Sequence, residues 1–298
     1  MDTLFFRRHT REPLCRTSND LDVNPEAGVI NRGGAIAAAA AAAPARSVIG
    51  FAGLAAGSGA TTLAFAAAEY LAAKIPGKHG AVTLLELDPR PEAHAGKPYD
   101  KVGIDRRFAG REFIPFHRLA SEGKPLREAR NIDGGINWAL RTPGDSGPTP
   151  SGAALLRLRN NAIGDIVICD IPVYGYLSAY DTAASGSFPH KAGRDTLLAL
   201  LADLDHLICV FDPLPSRLLA SVSAAEACRV AAAGLKTTYV FNKMNPGVNI
   251  REVLRFTGVR KYVPVPSINA EAVYAAEYAC RSLAAEPEMS SALSALFD

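Results

Sequence analysis

The chain has too few cysteines, in the wrong arrangement, for a disulfide framework. Its five, Cys15, Cys169, Cys209, Cys228 and Cys280, are odd in number and contain no Cys-x-x-Cys pair. Cys169 and Cys209 sit inside apolar runs, so buried thiols in a reducing cytosol fit better than disulfides or a metal site. An excess of one charge is lacking too. Against 32 Lys and Arg stand 30 Asp and Glu, and a net charge of +2 makes no general case for nucleic acid or a membrane surface. No apolar run of about twenty residues occurs, so no helical membrane span is expected. Tryptophan is nearly absent, yet 48% of the residues are hydrophobic, which is ordinary globular composition. A length of 298 residues is within range for a single large α/β domain with a tail.

Residues 1–46 lack the pattern of a packed element and are expected as a poorly ordered leader. Polar and turn-forming residues dominate 7–34, and the tract Ala37–Ala43 ends in Pro44. Alanine favours helix, but this tract has no polar face and stops at once. A signal peptide is the competing reading. It is rejected because the tract is weakly apolar, lies far from the N-terminus and follows acidic residues.

The stretch from Val48 to Tyr70, VIGFAGLAAGSGATTLAFAAAEY, is the one around which the chain is organised. Val48-Ile49-Gly50-Phe51 reads as a buried strand. A small-residue loop runs from Gly53 to Gly59, and Thr61-Thr62 lead into an Ala-rich segment without breakers. Strand, glycine loop, Thr and helix form the context of a phosphate-binding loop. Gly57 and Gly59 let the backbone turn so that successive N–H groups point inward, delivering an anion to the positive end of the helix. The lysine that such loops carry is missing, and Ala60 holds its place. The competing reading is an Ala- and Gly-rich strand–turn–helix with no ligand.

Further strands end in residues of interest. Ala81–Leu87 reads as a buried strand running into Asp88-Pro89-Arg90, where the alternative is a plain turn. Residues 92–130 are polar and basic, with short helices expected at Ile104–Phe108 and Arg118–Ala120. A third strand is expected at 134–140, then a Gly- and Pro-rich loop. Ile166-Val167-Ile168-Cys169 before Asp170 is a fully buried strand delivering a carboxylate to its C-terminal end. The alternative there is a core strand with a capping Asp. Strands at 206–211, 237–242 and 262–266 alternate with helices at 216–233 and 270–283. The fold class is therefore α/β, a mostly parallel, doubly wound sheet with helices on both faces. In such sheets ligands sit beyond the carboxyl ends of the strands, where Gly57, Asp88, Asp170 and Asn242 gather.

Ala55-Ala56-Gly57-Ser58-Gly59-Ala60-Thr61-Thr62 resembles the Lys-Gly-Gly-Val-Gly-Lys-Thr-Thr loop of the MinD/ParA family of deviant-Walker P-loop ATPases (SIMIBI class). Both family lysines, one crossing a dimer interface and one gripping the phosphates, are alanine here. Glu86-Leu87-Asp88-Pro89-Arg90 resembles the family's Asp-x-Asp-Pro-Gln run, and Asp165 to Pro172 its magnesium-binding strand. The resemblance covers residues 47–285, with 286–298 as a short C-terminal tail. The run before that strand is faintly similar to the CpaE/TadZ pilus-assembly group.

The resemblance implies ATP or ADP with Mg2+. Gly57, Ser58, Gly59, Ala60, Thr61 and Thr62 would cradle phosphate, and Asn242 and Pro264 would lie at the nucleotide. Thr61 and Asp170 would hold the metal, with Asp88 near the attacking water. It also implies a cytoplasmic homodimer or a docked partner of an assembly machine. A nucleotide-binding scaffold with little or no ATPase activity is the first expectation. The alternatives are a working ATPase in which Arg90 replaces the lost lysine, and a partition-type DNA binder using Arg251, Arg255, Arg260 and Lys261. The segment 286–298 has no cationic amphipathic character for a membrane surface. The helix 61–74 is apolar on nearly every side, so either its own domain or a partner must cover it.

Overall fold

The computed structural model describes residues 46–75, 80–88, 97–125, 131–143, 151–174 and 189–298. The leader up to residue 45, with its alanine tract, and the sequence-proposed cation Arg90 lie outside the described residues.

The described strands form one sheet. They are β1 (Ser47–Gly53), β2 (Val82–Glu86), β3 (Ile132–Asp133), β4 (Ile136–Ala139), β5 (Ile166–Ile171), β6 (His206–Phe211), β7 (Lys236–Met244) and β8 (Val263–Pro266). Their order is β3-β4-β2-β5-β1-β6-β7-β8. All neighbours are parallel except β3, which pairs antiparallel with β4. The sequence pattern offers a single strand here. The two-residue β3 is too short to carry a periodic signal, and the positive φ values of Gly134 (60°) and Gly135 (80°) make the tight turn that pairs it.

The central strands are apolar throughout because both their faces are covered. Val48 and Ala52 of β1 join one hydrophobic cluster, with Cys169, Cys209 and Phe241. Ile49 and Phe51 join the other, with Ile168, Ile208 and Val240. The first cluster is closed by α5 (Gly152–Asn160), α6 (Pro189–Ala202), α7 (Pro215–Ala231) and α8 (Ile250–Thr257). The second is closed by α1 (Ala60–Lys74), α3 (Ile104–Arg107) and the C-terminal helix. Between β2 and β3 the chain also forms α2 (Lys97–Val102) and α4 (Phe116–Ser121), and after β8 it forms α9 (Ala270–Tyr278).

Residues 286–298, expected as a tail, are instead a packed element. Pro287–Phe297 form α10, begun by a proline at its first position, with Met289, Ala292, Leu293 and Leu296 buried. A short 3-10 turn at Leu283–Ala285 leads into it. This segment closes over α1, whose Leu63, Phe65, Ala66 and Ala67 are almost wholly inaccessible. Tyr70 and Lys74, in the last turns of α1, both bond Asp298. The all-round apolar helix is thus covered from within its own domain. Among the described residues, no helix is long and apolar enough to cross a membrane.

Candidate nucleotide site

The site lies at the carboxyl ends of β1, β2, β5 and β7, built on the loop between β1 and α1. Leu54 N–H still reaches Val210 O at 3.4 Å, and Ser58 N–H turns back to Ala55 O at 3.1 Å. Gly57 (φ 72°) and Gly59 (φ 87°) take left-handed conformations. Gly59 also has no room for a side chain, since a Cβ there would lie 2.2 Å from the Asn242 amide nitrogen. That amide donates to Ser58 O at 2.8 Å, while its oxygen accepts from Lys243 N–H at 2.9 Å. The end of β7 therefore fixes the curvature of the loop.

Helix α1 begins at Ala60 with no acidic residue in its first turn. Its first N–H groups have no intrahelical acceptors, and the helix dipole makes this end positive. Thr61 donates its hydroxyl to Asp170 Oδ2 at 2.7 Å. On the neighbouring strand Glu86 is the register partner of Asp170. Glu86 Oε2 accepts the Arg141 N–H at 2.9 Å, whereas its buried Oε1 has no partner. Burial pushes the Glu86 carboxyl up to about 8, the Arg141 N–H opposes this, and Asp170 and Asp88 add to it. Glu86 is thus a neutral acid at pH 7.

A cavity of about 300 Å³ opens here, walled by loop residues 57–62 and by Glu86, Asp88, Lys101, Asp170 and Lys243. A second, of about 250 Å³, adjoins it across Gly59 and Thr62, bounded by Asn242, Pro266, Ile268, Leu283 and Met289 among others. The structure brings Gly57, Ser58, Gly59, Ala60, Thr61, Asp88 and Asp170 together around the first cavity, and Asn242 lines the second. Thr62 lines both. Pro264 does not join them. It stands opposite Phe241 within the sheet and is exposed, while Pro266, two residues later, lines the second cavity. The two-residue strand repeat places both prolines on one face, and the later one stands at the strand's last position, next to the cavity.

Sequence reasoning missed the cations. Lys243, at the end of β7, bonds Gly57 O with its ammonium and lies 3.1 Å from Asp212 Oδ2. Arg217, on the first turn of α7, donates to Gly57 O at 3.1 Å and to Asp212 Oδ2 at 2.6 Å. Burial raises the Asp212 carboxyl, but the Leu214 N–H and these two cations outweigh it and hold the group below its ordinary value. Lys101, on α2, donates to Thr62 Oγ1 at 2.6 Å. One local signal existed: Lys243 directly follows Asn242. The other contacts span far too much sequence to be read.

A magnesium ion fits the donor set. Thr61 and Asp170 offer hard oxygens within one hydrogen bond of each other, and such an ion takes one or two protein oxygens plus phosphate and water. Among the described residues no cluster of three His, Cys, Asp or Glu holds a metal by itself. Glu86, whose buried Oε1 has no hydrogen-bond partner, lines the same cavity.

No family model matches the sequence, and no curated protein matches it. Solved structures do. A ParA family ATPase from Chlorobium tepidum superposes with a TM-score of 0.60 at 15% identity, covering 84% of this chain and 97% of that one. McdA from Cyanothece, solved with ATP, gives 0.56 at 13% identity, covering 85% and 96%. MinD from Aquifex aeolicus, solved in complex with MinC, gives 0.54 at 12% identity, covering 85% and 96%. The mostly parallel eight-stranded sheet with its helices matches that of the ParA/MinD-type P-loop ATPases, and this chain has their fold.

Proposed function

We propose that the chain binds ATP or ADP with Mg2+ at the loop of residues 54–62 and acts as a scaffold or localisation factor for an assembly machine, with hydrolysis absent or slow. The observation that carries this reading is the Thr61–Asp170 hydrogen bond at 2.7 Å, set beside the open N-terminus of α1 in a cavity of about 300 Å³. The loop and α1 N–H groups receive phosphate oxygens, Thr61 and Asp170 hold the ion, and Asn242 keeps the loop curved. Bound Mg2+ supplies neutralisation of phosphate charge. That McdA was solved with ATP supports the nucleotide, and the MinC complex of MinD supports a protein partner.

Ala60 divides binding from turnover. A loop without its own lysine lacks charge-assisted hydrogen bonds worth about 1.5–3 kcal/mol, roughly one to two orders of magnitude in affinity, unless a cation from elsewhere in the fold supplies them. Millimolar nucleotide tolerates such a loss. Hydrolysis depends on a positioned cation by about a thousandfold or more, so turnover suffers most. A pilus or secretion apparatus is the kind of machine we assign, on the sequence likeness to the CpaE/TadZ group. The protein works as a homodimer or docked on its partner.

The test is a nucleotide titration of the purified protein with and without Mg2+, beside a turnover assay. Binding that needs Mg2+ with no measurable turnover is the expected result. Turnover of about one per second or faster would remove the scaffold reading, and absence of binding would remove the nucleotide.

A further inference from the structure

Three basic side chains reach the loop from outside it, and they are not equivalent. Lys101 bonds the Thr62 hydroxyl, within α1, and its ammonium is drawn toward Glu277, 3.7 Å away. Arg217 is committed to Asp212 at 2.6 Å. Lys243 shares both partners with Arg217, Gly57 O and Asp212, and of the two only Lys243 lines the phosphate cavity. Two positive charges meet one Asp212, so a net positive charge remains beside the loop, and the carbonyl of Gly57 takes donors from both. An ammonium has three N–H donors, and the named partners of Lys243 use two. Its backbone adopts φ 59°, a conformation that a lysine occupies only when its surroundings impose it. That conformation turns the side chain back over the loop and into the wall of the phosphate cavity.

Resting on the nucleotide reading above, we propose that Lys243 is the phosphate-binding cation of this site, supplied from β7 in place of the lysine that Ala60 has replaced. Without ligand the ammonium is parked on Gly57 O and Asp212. When a polyphosphate enters, it moves from that carbonyl to the phosphate oxygens. Asp212 is not stranded by the exchange, because Arg217 and the Leu214 N–H, at 3.0 Å, still bond it. The loop also keeps its shape, since Asn242 still holds Ser58 O. Glu86, which lines the same cavity and whose buried Oε1 lacks a hydrogen-bond partner, is an observation independent of these cations that favours a polar ligand there.

The experiment is calorimetric titration of the full chain with Mg-ADP and Mg-ATP, for the wild type, K243M, A60K and the K243M/A60K pair. Thermal melting checks that each is folded, and K243R serves as a charge-keeping variant should K243M melt early. The expected result is a ten- to hundredfold loss of affinity in K243M and recovery of most of it in the pair. K243R stays within a few-fold of the wild type. Unchanged affinity in K243M overturns the role of Lys243 while leaving the nucleotide reading intact. Loss in K243M without recovery in the pair overturns it as well, because Lys243 would then act by shaping the loop. A wild type that binds neither nucleotide removes the nucleotide reading and this inference together.

Discussion

Asn242 and Gly59 sit so close that only a glycine can stand at the second position: a methyl group there would be 2.2 Å from the asparagine amide nitrogen. The loop is therefore moulded by a strand three places across the sheet order from β5, where the Asp170 carboxylate resides. The substitution Gly59→Ala is expected to lower stability by about 1–3 kcal/mol, through its left-handed φ and the clash. Nucleotide binding is expected to fall with it. Chemical denaturation and titration of the same sample check both.

Asn242→Ala leaves the buried carbonyl of Ser58 without its donor, and this costs about 1–3 kcal/mol. Stability in urea reads that loss directly. Asn242→Asp, which keeps the shape and loses the donor, should cost as much or more. Equal stability of wild type and Asn242→Ala would show that the loop holds its curvature unaided.

Asp170→Asn should weaken nucleotide binding when Mg2+ is present and leave it nearly unchanged in EDTA. The hydrogen bond from Thr61 survives as a contact to an amide oxygen, so the fold is expected to persist. An equal loss in both conditions would make Asp170 a structural cap instead of a metal ligand.

Glu86 gives a pH signature whose sign can be worked out. Its folded carboxyl titrates at about 8, against an ordinary value of 4.5, so the folded state holds the proton where the unfolded chain has lost it. Stability from this group is full below about 4.5 and falls as pH rises through about 8. Buried His206 runs the other way, because burial and nearby Lys236 hold it at about 4, below its ordinary 6.5. Its contribution is complete above 6.5, which leaves the window from 6.5 to 8 to Glu86. Urea midpoints should decline across that window in the wild type and stay level in Glu86→Gln.

Leu293→Ala tests the cover on α1. Leu293, on α10, is fully buried, and removing its branched end costs about 2–5 kcal/mol. Light scattering of this variant should show association beyond that of the wild type at the same concentration.

The strands, the glycine loop and the carboxylates at strand ends are legible because each is a local pattern. An apolar run ending in Asp170, or glycines before Thr61, needs no distant information. The hidden features depend on chain segments meeting. Lys243 and Arg217 reach Gly57 from 186 and 160 residues away. The choice of Pro266 over Pro264 turns on where β8 leaves the sheet. The helix Pro287–Phe297 carries an apolar face that looks unremarkable until α1 is seen to need it. The missing loop lysine is visible in the letters, but the letters do not say what stands nearby.

The arrangement of α1 under α10 also bears on how the protein is made. The helix that carries the phosphate loop emerges from the ribosome roughly two hundred residues before the segment that closes over it. At about 5–20 residues per second, that gap is on the order of ten to forty seconds. During that interval an apolar helix of the domain lacks the segment that covers it. The growing chain is then exposed to aggregation and chaperone capture, and emergence of the helix Pro287–Phe297 ends that exposure.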